Sequence, residues 1–209
     1  SSALQCTRRN YYQRQGIAKD PIDARTRLIF DNGDAMHERY QRYFRKMGVL
    51  LMDEVPLLHE GMEIQGHTDG FLRRKEAKGK KKSTQILELK SINSRGFSAL
   101  KEAKEEHRAQ AQVYLFCSEE RRKFLREQYP TKFKFKLSEK QRRAYFEQFH
   151  LHLIDEETGS REKLEKKLDQ CLKADSILYD TDLPIDTAHI LYESKDTQER
   201  KEFIIKMDL

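Results

Sequence analysis

The stretch Thr84-Gln85-Ile86-Leu87-Glu88-Leu89-Lys90-Ser91-Ile92 decides the fold. Side chains two apart on a strand share a face, so Glu88 and Lys90 project into one space while Leu87 and Leu89 face a core. An otherwise apolar strand buries two charges only if they have partners, because an unpaired buried charge is costly. Upstream, Gly66-His67-Thr68-Asp69-Gly70 lies in a segment that reads as the neighbouring strand, which would bring Asp69 to the same place. Two converging carboxylates suit a hard divalent cation, and a Lys beside them can position or deprotonate a metal-bound water. The plainer alternative makes Glu88 and Lys90 a structural ion pair and Asp69 an ordinary strand-end residue flanked by bulge glycines. It leaves unexplained why Asp69 should arrive beside them.

Outward from this strand the chain reads as an ordered set of elements. A helix is expected from an Asp31 or Asn32 N-cap to Met47, with Met36, Tyr40, Tyr43, Phe44 and Met47 at helical spacing. Val49 to Leu58 and Met62 to Leu72 read as antiparallel strands around the turn His59-Glu60-Gly61. The polar stretch Arg73 to Ser83, with Lys75, Lys78, Lys80, Lys81 and Lys82, reads as an exposed turn leading into the strand Thr84 to Ile92. Leu100, Ala103, His107, Gln110, Ala111, Tyr114 and Leu115 mark a helix from Ser98 to about Cys117 or beyond.

From Ser118 to Pro184 the pattern gives charged amphipathic helices at Glu119 to Gln128, Ser138 to Ile154 and Ser160 to Ala174, with a short strand at Lys132 to Leu137. Ala188 to Glu193 and Lys201 to Met207 read as two closing strands. The expected fold is therefore α/β, or α+β-like, with a mixed central sheet flanked by helices. One domain spans residues 1–209, with a core at 1–117 and 185–209 and a helical insertion at about 118–184.

Composition bounds the partners. The 209 residues, 37% apolar, suffice for one sizeable core. The 41 Lys and Arg against 35 Asp and Glu leave a formal charge of +6, which suits a polyanion, although phosphate binding depends on local clusters more than on net charge. Cys6, Cys117 and Cys171 are far apart, odd in number and without C-x-x-C spacing, which argues against a disulfide framework or a self-contained zinc site. No apolar run is long enough to span a bilayer, and Ser1 to Arg9 lacks the apolar stretch of a signal peptide. The expectation is an intracellular protein, cytoplasmic or associated with the nucleoid of a bacterium or phage-infected host, with no membrane partner.

The motifs, taken in order, resemble the PD-(D/E)XK nuclease superfamily, in its RecB-type and phage exonuclease branch. The elements that carry the resemblance are Gly33-x-x-x-His37, Gly66-x-x-Asp69-Gly70, Glu88-x-Lys90 and Gln110-x-x-x-Tyr114. Each alone is weak in so charged a chain; the specificity lies in their order. The resemblance covers about Cys6 to Phe116. It implies Asp69, Glu88, His37 and the Leu89 carbonyl as metal ligands, and Lys90 as the residue that orients the attacking water or stabilises developing phosphate charge. It further implies Gln110 near the catalytic Lys or scissile phosphate, and Tyr114 in contact with substrate. The cofactor it implies is Mg or Mn, with imidazole from His37 favouring Mn.

Cys6-Thr7-Arg8-Arg9 resembles the first cluster-ligand segment of the iron-sulfur members, but no cysteines follow the last strand, so no intact cluster is expected. Arg8, Arg9, Lys80, Lys81 and Lys82 are candidate phosphate contacts. The function these residues predict is metal-dependent hydrolysis of DNA phosphodiester bonds, as an exonuclease or end-processing enzyme in recombination, repair or phage DNA metabolism. Single strands or ends are the expected substrate, and the helical insertion offers a surface for a protein partner. The alternative is a nuclease-fold DNA-binding or scaffold module without turnover.

Overall fold

In the computed structural model, residues 21–62, 64–74, 81–130, 138 and 161–208 are described. Helix α1 spans Ala24–Lys46, strand β1 Leu50–His59, and a single 3-10 turn Glu60–Met62 leads to β2, Ile64–Arg73. Strand β3 is Thr84–Ile92, followed by the short helix α2, Ser94–Ala99, and the long helix α3, Glu105–Gln128. Helix α4 spans Arg161–Asp180 and precedes β4, Thr187–Ser194, and β5, Arg200–Lys206.

The five strands form one mixed sheet in sequence order. The pairs β1–β2, β2–β3 and β4–β5 are antiparallel, and β3–β4 is parallel. A parallel pair needs a long crossover, and the chain between β3 and β4 supplies it with α2, α3 and α4. The expected α/β class, a mixed sheet with flanking helices, is what the chain forms.

Both faces of β3 are covered. Leu87 and Leu89 pack with Met36 and Tyr40 of α1 and with Leu72. Ile86 and Ile92 join the larger core made by Ala111, Tyr114, Leu115 and Leu125 of α3, Leu168 and Leu172 of α4, and Val55, Phe71, Ile190 and Tyr192 of the other strands. Fully burying a Leu or Ile side chain contributes about 1.5–3 kcal/mol, so this double coverage holds the central strand rigidly beneath whatever its charged residues do.

Three boundaries differ from the sequence expectation. Helix α1 begins at Ala24, well before Asp31, because the Asp23 carboxylate accepts from the Thr26 N–H at 2.7 Å and caps it there. The added turns carry Leu28, Ile29 and Phe30 exposed, with no core-facing stripe to betray them. The expected helix from Ser98 is two helices, broken where Asn93 caps α2 and Leu100 leaves it in an extended conformation.

The third difference concerns residues 118–184. Cys117 falls in the middle of α3, which continues unbroken to Gln128, and Ser118, Glu119, Arg122 and Leu125 are all buried. Helix α4 places Leu168, Leu172, Ala174 and Leu178 in the same core. Of the segment read as an insertion, α4 and the second half of α3 are thus part of the layer that covers the sheet. The expected strand Lys132 to Leu137 and, apart from Ser138, the helix Ser138 to Ile154 lie outside the described residues. So do Cys6, Arg8, Arg9 and Lys80.

Candidate metal centre

Strands β2 and β3 are paired from Arg73–Thr84 to Gly70–Leu87, and there the regular ladder stops. Beyond that point side chains of β2 take over its hydrogen bonds. The Thr68 hydroxyl donates to the Leu87 carbonyl at 2.7 Å, and Asp69 Oδ2 accepts from the Leu89 N–H at 2.5 Å. While β3 stays in register with β4 through Ile92, its other edge is left to Asp69. The sequence therefore sets the site by placing Thr-Asp where two strands part.

Helix α1 supplies the next group. His37 lies beside the buried Met36, and its Nδ1 is 3.3 Å from Asp69 Oδ1. On β1, Asp53 pairs with Gly70 and Val55 with Thr68, which brackets Glu54 opposite Asp69. His37, Glu54 and Asp69 each offer one ligand atom, all within 4.8 Å of one another. An octahedral Mg ion with bonds near 2.1 Å sets opposite ligands roughly 4.2 Å apart, so the cluster has the span to close on one cation.

Burial lowers the His37 pKa, but the hydrogen bond to Asp69 and the negative charges of Asp69 and Glu54 outweigh it and leave the pKa raised. Imidazole with carboxylates is a donor set that suits Mn as well as Mg.

Glu88 stands beside this cluster on the opposite side of Asp69's strand junction. It is 2% exposed. Its Oε1 accepts from Lys90 Nζ at 2.5 Å and from Gln110 Nε2 at 2.8 Å, while its Oε2 is buried with no hydrogen-bond partner among the described residues. Burial first, and then the charge of Asp69, push the Glu88 pKa up to about 7 against the pull of Lys90. An orphaned carboxylate oxygen in a buried place is expensive, and a cation beside Asp69 would supply its missing partner. The donors of His37, Glu54 and Asp69 thus fit a divalent ion in type and span.

No protein-family model matches this chain, and no curated protein is similar to it.

Of the residues expected at the site, the fold brings His37, Asp69, Glu88, Lys90 and Gln110 together. Leu89 takes part through its N–H, which donates to Asp69. Tyr114 is different. It is 5% exposed, its hydroxyl accepts from Gln110 Nε2 at 2.8 Å, and its ring lies against the bare Cα of Gly66, where an added Cβ would sit 3.4 Å from it. Burial raises its pKa to about 12. Tyr114, which the resemblance implies in contact with substrate, is buried here and holds the Gln110 amide.

Of the basic turn, Lys82 is described just before β3, which begins at Thr84. Its N–H donates to Asp182 Oδ2 at 2.7 Å, its carbonyl accepts from the Asp182 and Leu183 N–H groups, and its ammonium faces Asp180 at 4.0 Å. Lys82 is thus tied to the loop after α4, and Lys80 lies outside the described residues.

Gln41 escaped the sequence reading, and Glu54 on the first strand reads there only as a weaker candidate for an outer or second-metal role. Gln41 lies one turn after His37 on the same face of α1; it is buried, and its Nε2 donates to Glu54 Oε1 at 2.8 Å and to the Asp69 carbonyl at 3.3 Å. The i, i+4 spacing from His37 was the available signal. Glu54 adopts φ of +45° on β1, a left-handed backbone rarely held by a side-chain-bearing strand residue. Sequence alone gives no sign of that conformation.

His107, on the helix face of Gln110, accepts from or donates to the Tyr192 hydroxyl at 2.7 Å. Burial first, then the positive charge of Lys90, press its pKa down to about 4, which keeps it neutral behind the site. Cys117 and Cys171 are buried in the core, where burial pushes their thiol pKa values up to about 11.

Proposed function

We propose that this chain is a divalent-metal-dependent deoxyribonuclease of the PD-(D/E)XK type. The observation that carries the reading is the convergence of His37, Glu54 and Asp69 beside the Glu88–Lys90 pair, where β2 and β3 part. The order α1, β1, β2, β3, α3, β4, with a parallel β3–β4 pair, supports it, because it sets all four sequence motifs around one point.

A bound cation would polarise the scissile phosphate and lower the pKa of a water for in-line attack. The chain's own residues do the positioning. Asp69 is locked by the Leu89 N–H, and His37 approaches its other oxygen. Gln110 and Lys90 both occupy Glu88 Oε1, which turns Oε2 toward the work of a ligand. The Lys90 side chain is 22% exposed and its ammonium donates to Glu88 Oε1, from where it would orient the nucleophile and meet phosphate charge. None of these groups reads bases, which favours processing of ends or single strands over site-specific cutting. Recombination, repair or phage DNA metabolism, inside a cell, is the setting this chemistry serves.

The test is degradation of end-labelled linear and circular DNA with Mg or Mn, with EDTA as the control. Lys90→Ala is expected to lower the cleavage rate at least a hundredfold while DNA binding by gel shift is kept. Cleavage by Lys90→Ala at the parental rate removes Lys90 from the mechanism. Binding of DNA by the parent chain, with no product under any metal, replaces the enzyme with a nuclease-fold binding module.

A further inference from the structure

Resting on the metal-site reading above, we infer that Gln41 is the positioning residue that makes Glu54 a cation ligand, and that it sets how tightly the site holds metal.

Glu54 is exposed, and an exposed glutamate on an edge strand ordinarily wanders among rotamers. Here it is fixed in two ways. Its backbone is held at φ of +45°, a conformation that strains a non-glycine residue and persists only where the surroundings enforce it. Its Oε1 is held by the Gln41 amide at 2.8 Å. The same amide nitrogen reaches the Asp69 carbonyl at 3.3 Å, so one buried side chain ties α1 to both strands that carry the acidic ligands.

The geometry of α1 extends the argument. Residues four apart on a helix lie one above the other, so His37 and Gln41 face the sheet together. His37 contributes its imidazole directly, and Gln41 contributes by pinning Glu54 Oε1, which leaves the carboxylate's second oxygen to the cluster. Gln41 has no electron pair to give a cation through the nitrogen that makes these contacts. Its role is therefore to hold and not to ligate, in the manner of the outer hydrogen-bonding partners that orient metal ligands and whose loss typically weakens metal binding ten- to a hundredfold.

The experiment is Mn binding to the whole chain, followed by the EPR signal of free Mn, for the parent, Gln41→Met, Glu54→Gln and the double variant. Melting of each in EDTA gives the stability control. Gln41→Met keeps the buried volume and deletes the amide; Glu54→Gln changes an exposed residue and leaves the core alone. Gln41→Met and Glu54→Gln are each expected to weaken Mn binding roughly ten- to a hundredfold, and the double variant to be no weaker than Glu54→Gln, because both changes remove one interaction. A residue that only supports the fold would weaken binding equally in both backgrounds, and that result overturns the inference, as does parental Mn affinity in Glu54→Gln. A parent chain that binds no Mn fails earlier, and overturns the metal site itself.

Discussion

At the residue scale, the proposed site would set protons against a cation for the same oxygens and nitrogen. Glu88, with a pKa near 7, and His37, with its pKa raised, both bind protons more tightly in the folded chain than in the unfolded one. Where the folded state binds more protons, stability falls as pH rises. Glu88 and His37 therefore contribute stability that is lost as pH rises through their folded pKa values, whereas His107, pressed down to about 4, and His67, also lowered, work the other way. In metal-free protein the melting temperature of the parent relative to Glu88→Gln is expected to fall as pH rises from about 5 to 7.5. Metal affinity is expected to rise with pH across the same window as the protons leave. Calorimetric melting of both chains in EDTA and Mn titrations at matched pH check both signs; a parent that gains on Glu88→Gln as pH rises contradicts the burial of Glu88 as a strained carboxylate.

At the element scale, what the sequence revealed depends on whether a residue's neighbours are local. Strand β3 was legible from Thr84 to Ile92 because apolar alternation fixes both its span and its faces, and Leu87 and Leu89 do pack under α1 as that pattern requires. Asp69, Glu88, Lys90 and His37 were legible as a group because each sits in a short spaced motif. Glu54 was legible only as a weaker candidate, since its importance lies in a backbone torsion and in facing Asp69 across a strand pair.

Helix α4, within the segment whose charge pattern suggests an insertion, has Leu172 wholly buried and Leu168 and Leu178 nearly so, in the core shared with α3 and the sheet. Leu172→Ala should therefore destabilise the entire domain by about 2–5 kcal/mol, lowering one cooperative urea transition seen alike by circular dichroism and tyrosine fluorescence. Two separate transitions, with only the first shifted, would instead mark α4 as an appended unit.

At the scale of the whole molecule, the sheet has a chemical end and a tethered end. At one, β2 leaves β3 and the ligands of α1, β1 and β2 meet. At the other, Lys82 is bonded to the loop after α4. Among the described residues no helix is long and apolar enough to cross a membrane. The formal charge of +6 then matters less than where the cations stand, and Lys90, bonded to Glu88, stands beside the cluster. The central claim is that one divalent ion sits where His37, Glu54 and Asp69 meet. Anomalous diffraction at the manganese edge from a Mn-soaked crystal tests it most directly. A single strong peak within bonding distance of His37 Nδ1 and of carboxylate oxygens of Asp69 and Glu54 is the predicted result; Mn at full occupancy elsewhere on the chain, with no peak among these three side chains, would contradict it.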